Sequence, residues 1–370
     1  MKSFQLSNLV SLNLLLVFFP LALLARLTGI NDVIVFAASG LAIIPLAGLM
    51  GNATESISER LGQHIGGLVN ATLGNAAELI ITFFALRQGL VELVRASIVG
   101  SILGNLLLVL GMSVLLGGLR HGLQNFNRRT ASMNATLVIL AFLVLALPSG
   151  FDSAILGRYP DLVDARTREL VFSVGIAAVM ITLYALSLIY AMRNPEASVG
   201  HTAKARTQEI IVRPVIHIRN ALLILAAATI GTVIMSEILV SAVEPMVKQL
   251  GLSEFFVGII LIPLIGNVAE HVVSVQVARK NRMDLALTIS LGSSLQVALF
   301  VAPALVFISL LFDKHLLLLF NPYELAALAV GSIVAALVSQ DGESNWLEGV
   351  ELLAVYLILA LAFFLVPAAL

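Results

Sequence analysis

Two glutamates stand inside otherwise apolar sequence, each as the last residue of the same five-residue motif. The motif reads Gly-Asn-Ala-Ala-Glu at 74–78 and Gly-Asn-Val-Ala-Glu at 266–270, 192 positions later. A charged carboxylate near the centre of a bilayer costs about 2.5–3.5 kcal/mol on insertion scales, so Glu78 and Glu270 need a partner or a function. Their two negative charges match those of one divalent cation. The paired motifs therefore predict a shared cation site.

A second match at the same offset indicates that the chain is internally duplicated. The dipeptide Gly-Ser occurs at 100–101 and at 292–293, in each case 26 residues downstream of the first motif glycine. Across 74–105 and 266–297, nine of the 32 aligned positions are identical. Each half of the chain therefore carries one carboxylate and one Gly-Ser step, and both halves are expected to contribute to one site.

Other oxygen donors accompany the two carboxylates. A calcium ion takes about 6–8 oxygen ligands, so two carboxylates alone cannot complete its shell. Asn75 and Asn267 lie three residues before the motif glutamates, one helical turn away. Ser101, Ser293 and Gln296 offer further oxygens from the neighbouring spans. Such an all-oxygen set suits a hard cation such as Ca²⁺, and the chain has no cysteine to supply a thiolate or a disulfide.

The motif glycines are expected to shape the backbone around the site. They are Gly74, Gly100, Gly266 and Gly292. A glycine lets two helices approach closely, and it lets a helix unwind locally, which frees backbone carbonyls that can face an ion without contacting lipid. We expect both effects at these positions.

The same carboxylates can also carry protons. A proton on a carboxylate oxygen removes the charge that would bind a cation, so protons and Ca²⁺ compete for one site. If the charged site cannot reorient across the membrane without either ion, this competition becomes obligatory exchange. Coupled exchange therefore requires no group beyond the pair of glutamates.

Three further acidic residues allow two interpretations: Glu55, Glu237 and Glu244. The segment 51–55 spells the motif again, but no Gly-Ser follows 26 residues later. These side chains are either solvated helix ends or an electrostatic lead-in that attracts cations to the site. The sequence leaves both interpretations open.

The composition places these residues in a membrane protein. Of the 370 residues 59% are hydrophobic and 12% are charged, and the mean hydropathy of +1.02 excludes an ordinary soluble domain. Apolar runs of the ~20 residues that cross a bilayer recur along the whole length. The first run lacks a small-residue cleavage site, so we expect it to be retained as a helix.

We predict an all-α polytopic membrane protein with about eleven transmembrane helices. The expected spans are 7–27, 31–56, 64–87, 92–118, 130–148, 168–192, 216–240, 253–279, 284–312, 322–340 and 347–369. One N-terminal helix (1–30) stands outside two five-helix repeats (31–192 and 220–370), which a cytoplasmic loop at 193–219 connects. Because five is an odd number of spans, the second repeat is inverted relative to the first, as in many secondary transporters that bind their substrates near the midplane.

The distribution of Lys and Arg predicts the orientation. With eleven spans, thirteen of the 21 basic residues fall on the side of the N-terminus. This distribution favours an N-terminus in the cytoplasm and a C-terminus outside. The short N-terminus without a targeting extension favours a prokaryotic inner (plasma) membrane.

The doubled motif, the 26-residue step to Gly-Ser and the eleven-span plan together resemble the Ca²⁺/H⁺ (cation/proton) antiporters of the cation/Ca²⁺ exchanger superfamily. The resemblance covers essentially the whole chain. It implies that Glu78 and Glu270 are the exchange carboxylates and that the second and seventh spans move to gate access. It also implies that five residues assist around the ion: Asn75, Asn267, Ser101, Ser293 and Gln296.

The central loop departs from that family. Family members often carry an acidic helix there, whereas 193–219 holds only Glu196 and Glu209 among several basic residues. A regulatory Ca²⁺ site in this loop is therefore not expected.

The sequence thus predicts a secondary active transporter that exchanges Ca²⁺ for H⁺ by alternating access. The alternatives are an exchanger for sodium or another divalent cation and, less in keeping with inverted repeats, a cation channel. No HExxH motif and no nucleotide-binding loop occur, so an enzyme is not expected. The expected partners are Ca²⁺ and H⁺ as substrates and the lipid bilayer; a homo-oligomer stays open. Neither a tightly bound cofactor nor nucleic acid is expected.

Overall fold

The computed structural model describes residues 13–61, 66, 69, 72–155, 165–193 and 217–366, and this part of the chain is almost entirely helical. Its helices in chain order are α1 Phe18–Thr28 (after a 3₁₀ turn at Leu14–Val17), α2 Asp32–Arg60, α3 Ala76–Arg87, α4 Val91–His121, α5 Arg128–Ile155, α6 Ala165–Arg193, α7 Ile218–Leu250, α8 Glu254–Ala278, α9 Met283–Ser309, α10 Pro322–Val338 and α11 Trp346–Phe364. Eight of these described helices are long and apolar enough to cross a membrane. The fold is the all-α polytopic membrane protein that the sequence predicts.

Three helix bounds differ from the predicted spans. α5 continues to Ile155 instead of ending at 148. α7 turns at Ala242 and continues to Leu250 instead of ending at 240, because the segment Val243–Leu250 is amphipathic and buries one side. α3 begins at Ala76, since the chain makes a turn at 74–75, inside the predicted span 64–87. The helix ends are otherwise within about five residues of expectation, a usual error for such boundaries.

Parts of the predicted plan lie outside the described residues. These are the start of the first span at 7–12, most of 62–71, nearly all of the central loop at 193–219, and the end of the last span at 367–369. The domain boundaries at 30, 192 and 219 therefore stay predictions.

Two helices carry a π-helical segment at equivalent positions of the two halves. The segment of α4 spans Gly104–Val109 and the segment of α9 spans Val297–Val301. Moving the first by 192 positions gives 296–301, which almost coincides with the second. A π segment changes the register of a helix and is frequent at functional sites. Each one here follows a Gly-Ser step within a few residues, so the duplicated sequence produces a duplicated irregularity next to Ser101 and Ser293.

One end of the helix bundle, which we call the ribbon face, carries a two-stranded antiparallel ribbon. Its strands are β1 Gln124–Asn125, between α4 and α5, and β2 Glu343–Ser344, between α10 and α11. The α8–α9 connection lies beside it, where Asn127 N donates to Asp284 Oδ1 at 2.6 Å. If each successive helix crosses the bilayer in the opposite direction to the one before it, the α4–α5, α8–α9 and α10–α11 connections all lie on the same side. The contacts of the ribbon therefore agree with the predicted helix order.

The opposite end, which we call the strap face, is crossed by the extended segment Leu316–Phe320 between α9 and α10. Every second residue of this strap is buried. Its backbone N–H groups donate to serine hydroxyls of three helices, namely Ser309 of α9, Ser173 of α6 and Ser149 of α5. Each buried donor of the strap thus gains a partner, which a backbone segment away from water requires.

The pair α2–α7 makes the most extensive helix contact of the described structure. Gly231 of α7 lies against the side chain of Leu46, and the Thr232 hydroxyl donates to Met50 Sδ at 3.3 Å. α2 also packs against α8, where Gly40 leaves room for the side chain of Ile265. α2 therefore lies beside the helix that carries the second motif, and α7 packs against α3, the helix that carries Glu78.

Candidate cation site between the two motifs

Glu78 lies in the first turn of α3 and is buried, with only 5% of its surface exposed. Its Oε1 accepts two hydrogen bonds, one from the Ser101 hydroxyl of α4 and one from Asn267 Nδ2 of α8 at 2.7 Å. Asn267 Nδ2 also donates to Ser101 Oγ at 3.2 Å. Three of the predicted residues from both halves of the chain therefore meet at one carboxylate oxygen.

The second oxygen of Glu78 is available for another interaction. Glu78 Oε2 is buried and has no hydrogen-bond partner among the described residues. Asn75 Oδ1 is in the same situation, while Asn75 Nδ2 donates to Gln296 Oε1 at 2.8 Å. Buried acceptors without a donor cost free energy unless something else satisfies them. These two oxygens belong to residues three positions apart, and they fit a hard cation, which binds carboxylate and amide oxygens.

Glu270 repeats part of this arrangement in the second half. It lies within α8, and Ser293 of α9 donates to its Oε2. The spacing between glutamate and serine is 23 residues in both halves. Unlike Glu78, Glu270 is only half-buried. The two carboxylates lie close enough for their charges to interact. The structure thus brings both motif glutamates to one region, each with its predicted serine.

The motif glycines have different functions in the two halves. Gly100 allows close packing of α4 on α8, because a Cβ there would collide with the carbonyl of Ile259. Gly266 faces the other glutamate, since a Cβ would lie 3.1 Å from Glu78 Cγ. Gly74 lies in the turn before α3, and Gly292 is buried within α9. Close approach is therefore observed at two of the four glycines.

Local unwinding occurs at only one of the two motifs. The first motif breaks at 74–75, where Asn75 has φ −102° and ψ 17°. The second motif is helical throughout, because Gly266 and Asn267 lie inside the regular part of α8, Ile262–Ala278. Gly100 and Gly292 likewise lie inside regular helix, so the prediction of local unwinding is wrong at three of the four motif glycines. In α8 the irregular backbone lies earlier, in a π segment at Val257–Leu261.

Asn105 is a candidate that the sequence comparison missed. It lies four residues after Ser101, inside the π segment of α4, and is 1% exposed. Its Nδ2 is buried without a hydrogen-bond partner in the part of the chain that the structure describes. Its counterpart 192 residues later is Val297, so a search for polar residues common to both halves passes over it. The position of this asparagine inside an otherwise apolar run is the sequence feature that could have identified it as a candidate.

Of the three acidic residues outside the motifs, Glu55 and Glu244 lie near the ends of their helices and Glu237 lies five residues before the turn of α7 at Ala242. Glu237 of α7 forms an exposed ion pair with Arg87 at 3.4 Å, which agrees with a solvated helix end. Glu244 lies in the amphipathic last part of α7, close enough to Glu254 for their charges to interact. Glu55 is half-buried in the last two turns of α2. Whether these residues attract cations stays a prediction.

The donor set at the site is dominated by amides and hydroxyls. Among the described residues no group of three or more His, Cys, Asp or Glu could hold a metal ion. A cation bound here would therefore use two carboxylates from opposite halves together with the oxygens of Asn and Ser side chains. An asparagine amide can present its oxygen instead of its nitrogen by rotating about its last bond, so Asn267 can serve either a carboxylate or a cation.

Known proteins share this architecture over nearly the whole chain. A family model described as Sodium/calcium exchanger protein matches residues 31–193 and 220–365. The Ca(2+)/H(+) antiporter of Synechocystis sp. is 41% identical over 368 residues, which cover 95% of this chain and 96% of that one. The Ca(2+)/H(+) antiporter ChaA of Bacillus subtilis is 41% identical over 347 residues, covering 94% and 96%.

A solved structure is also similar to this chain over nearly its whole length. The structure of native YfkE superimposes with a TM-score of 0.81 at 39% identity, and the match covers 96% of this chain and all of that one. The chain belongs to the sodium/calcium exchanger protein family, in the group of its Ca²⁺/H⁺ antiporters.

Proposed function

We propose that this protein exchanges Ca²⁺ for H⁺ across a membrane as a secondary active transporter. The single observation that carries the proposal is the meeting of Glu78 with Ser101 and Asn267, because this contact joins both motifs around one buried carboxylate. The relatives named Ca(2+)/H(+) antiporter support the same pair of ions. The proposed ligands are the two motif glutamates with the amide and hydroxyl oxygens around them.

Competition between the two ions would couple their transport. Ca²⁺ binding needs both carboxylates ionised, whereas protons bind to the same oxygens and neutralise them. A site that holds two uncompensated charges is expensive to move through a low-dielectric region, while a site loaded with either ion is not. Only loaded forms would therefore change access, which makes the exchange obligatory.

The different burial of the two glutamates suggests an order of events. Glu270 is half-buried and Glu78 is buried, so an arriving ion would meet Glu270 first and Glu78 second. Asn267 lies one turn before Glu270 and donates to Glu78, which links the two steps. Movement of α2, which packs against α8, together with α7, which packs against α2 and α3, would then change the side from which Glu270 is reached.

The protein is a multi-pass membrane protein, and we propose that its ribbon face is cytoplasmic. Nine basic residues of the described chain lie at the helix ends of this side: Arg60, Arg120, Arg128, Arg129, Arg193, Arg219, Arg279, Lys280 and Arg282. An excess of Lys and Arg is typical of cytoplasmic loops. We further propose that the protein lies in a prokaryotic inner membrane and that it is not an enzyme. Assembly with further copies of the chain is also proposed.

Calcium uptake into proteoliposomes tests the proposed function. Purified protein is reconstituted, and uptake of radioactive calcium is measured under an imposed pH gradient, an imposed sodium gradient or neither. We expect uptake that the pH gradient drives and that Glu270→Gln abolishes. Uptake driven only by sodium would instead assign the protein to sodium-coupled exchange, and non-saturable uptake without any gradient would indicate a channel.

A further inference from the structure

A column of buried polar side chains leads from Glu270 toward the ribbon face. Its first level is the contact between Glu270 and Ser293, which joins α8 to α9. At the next level Ser274 of α8 meets Ser290 of α9 and Ser113 of α4, with Oγ–Oγ distances of 3.3 and 3.0 Å. All three of these serines are completely buried. Three helices therefore bring their hydroxyl groups to one point.

Gln124 of the ribbon closes the column at the surface. Its Nε2 donates to the carbonyl of Ala278 and to Asn281 Oδ1, both at 3.0 Å. Its Oε1 is buried and has no hydrogen-bond partner among the residues that the structure describes. Gly117 of α4 makes room for this amide, because a Cβ there would collide with Gln124 Oε1. Asn281 is exposed, so the column reaches the surface of the protein.

The levels of the column are spaced by helical turns. Glu270, Ser274 and Ala278 are four residues apart on α8, so they lie on one side of the helix at intervals of about 6 Å along its axis. On α9, Ser290 lies one turn from Ser293 in the same direction, toward the start of the helix. A gap of this size between two polar groups is one that a single water molecule can bridge.

The first half of the chain has no equivalent of this column. The positions related to Ser290, Ser113 and Gln124 by the 192-residue offset hold apolar side chains: Ile98, Leu305 and Leu316. The position related to Ser274 holds Thr82, whose hydroxyl donates to the Glu78 carbonyl of its own helix at 2.6 Å. Contacts needed only to pack duplicated helices would be expected in both halves. The polar column therefore serves a task that belongs to Glu270 and not to Glu78.

We propose that this column conducts protons between the ribbon face and Glu270, a path that rests on the proposed exchange function. In each step a serine oxygen accepts a proton from one neighbour and releases its own proton to the next, so that one O–H bond forms as another breaks. The Glu270 carboxylate accepts or supplies the proton at the inner end. Gln124 and Asn281 hold the water through which protons enter.

The chemistry of the column fits protons and does not fit Ca²⁺. Between Glu270 and Asn281 it contains no carboxylate, and its serines contact one another too closely to surround an ion that takes about 6–8 oxygens. The charged groups at its outer end are Arg279, Lys280 and Arg282, with Asp284 as the acidic residue beside them. This excess of positive charge repels a divalent cation. Ca²⁺ would therefore reach the site by another route.

Measuring two kinds of Ca²⁺ flux distinguishes a proton path from a column that serves only packing. Ca²⁺/H⁺ exchange requires proton delivery, whereas exchange of internal for external Ca²⁺ at equal pH does not. In proteoliposomes, Ser274→Ala and Gln124→Leu should each lower proton-driven Ca²⁺ flux about a hundredfold, the low end of the loss of a positioned proton-transfer group. Ca²⁺/Ca²⁺ exchange should stay unchanged. Ser274→Thr keeps the hydroxyl and should restore proton-driven flux.

Matched controls come from the same chain. Thr82→Val alters the equivalent position of the other half, and Ser339→Ala removes a completely buried hydroxyl that donates to the Ala335 carbonyl of its own helix. Neither should change the ratio of the two fluxes. A parallel fall of both fluxes in Ser274→Ala and Gln124→Leu, or no fall in either, would overturn the proton path. Absence of proton-driven flux in the unaltered protein would overturn the proposed function instead.

Discussion

The two copies of the five-residue motif share their sequence pattern but differ in structure. The first copy breaks at Asn75 and places Glu78 at the start of a helix, fully buried against the second half. The second copy is continuous helix, and its Glu270 is half-buried. Duplication therefore supplied two similar motifs, and packing then buried the glutamate of one copy and left the glutamate of the other more accessible.

The hydrogen bonds of the two motif asparagines also differ between the copies. Asn267 of the second copy donates across to Glu78, whereas Asn75 of the first copy donates to Gln296. An exact two-fold relation would pair Asn75 with Glu270. Gln296 has no polar counterpart, because the related position is Gly104. A single substitution between the copies thus redirects one amide and leaves Glu78 with the denser set of partners.

The largest effect is expected from neutralising either glutamate. Glu78→Gln and Glu270→Gln should each reduce proton-driven Ca²⁺ flux to the background of empty liposomes, since each removes half of the charge that balances a divalent cation. Flux per amount of reconstituted protein is the measurement, with size-exclusion profiles as the control for folding. Near-normal flux in one variant would show that only the other copy binds the ion.

Substitutions of Ser101 and Ser293 should show whether the two copies contribute unequally to Ca²⁺ affinity. A hydrogen bond to a charged group contributes about 1.5–3 kcal/mol, so Ser101→Ala should weaken apparent Ca²⁺ affinity about tenfold to a hundredfold. Ser293→Ala should cost less, because water can replace the hydroxyl at a half-buried glutamate. Half-saturating Ca²⁺ concentrations of both variants give the comparison, with Ser101→Thr as the hydroxyl-retaining control. Equal losses would argue against an inner and an outer position.

Alanine at two glycines should distinguish packing from the site. Gly100→Ala forces a methyl group onto the backbone of Ile259 and should destabilise the protein by about 1–3 kcal/mol, as overpacking does. Gly266→Ala meets only the side chain of Glu78, at 3.1 Å, and should lower Ca²⁺ affinity with little change in thermal stability. Thermal unfolding in detergent and Ca²⁺ flux are measured together. The reverse pattern would show that Gly266 serves packing.

The smallest effect is expected for the acidic residues near the two faces. Glu55→Gln and Glu244→Gln should each lower the initial rate of Ca²⁺ flux by less than about threefold, and added salt should reduce the difference because it screens exposed charges. Glu59→Gln serves as a matched control for Glu55 on the same helix end. Complete loss of flux in either variant would place that residue in the binding site.

The sequence predicted the residues that meet more reliably than the backbone that carries them. Glu78, Ser101 and Asn267 were expected together and lie in contact. The turn at 74–75 and the continuous helix at 266–270 were not distinguished, because both motifs begin with Gly-Asn. A glycine permits unwinding without requiring it, so the surrounding contacts decide.

Comparison of the two repeats did not identify polar residues whose related position in the other half is apolar. Asn105 and Gln124 are both almost completely buried, yet the positions related to them hold Val297 and Leu316. A search based on identity between copies finds what duplication preserved. It cannot find a polar residue that only one copy carries, and the two halves differ at such positions.

The sequence by itself determined the membrane fold, the duplication and the pairing of two carboxylates, because hydropathy and motif spacing are local properties of the chain. Only the tertiary structure decided which glutamate is buried, which amide faces it, and which face receives a polar column. Those features depend on contacts between residues more than 150 positions apart, such as Asn267 with Glu78 and Gln124 with Ala278. Burial and hydrogen bonding at such distances follow from how the helices pack.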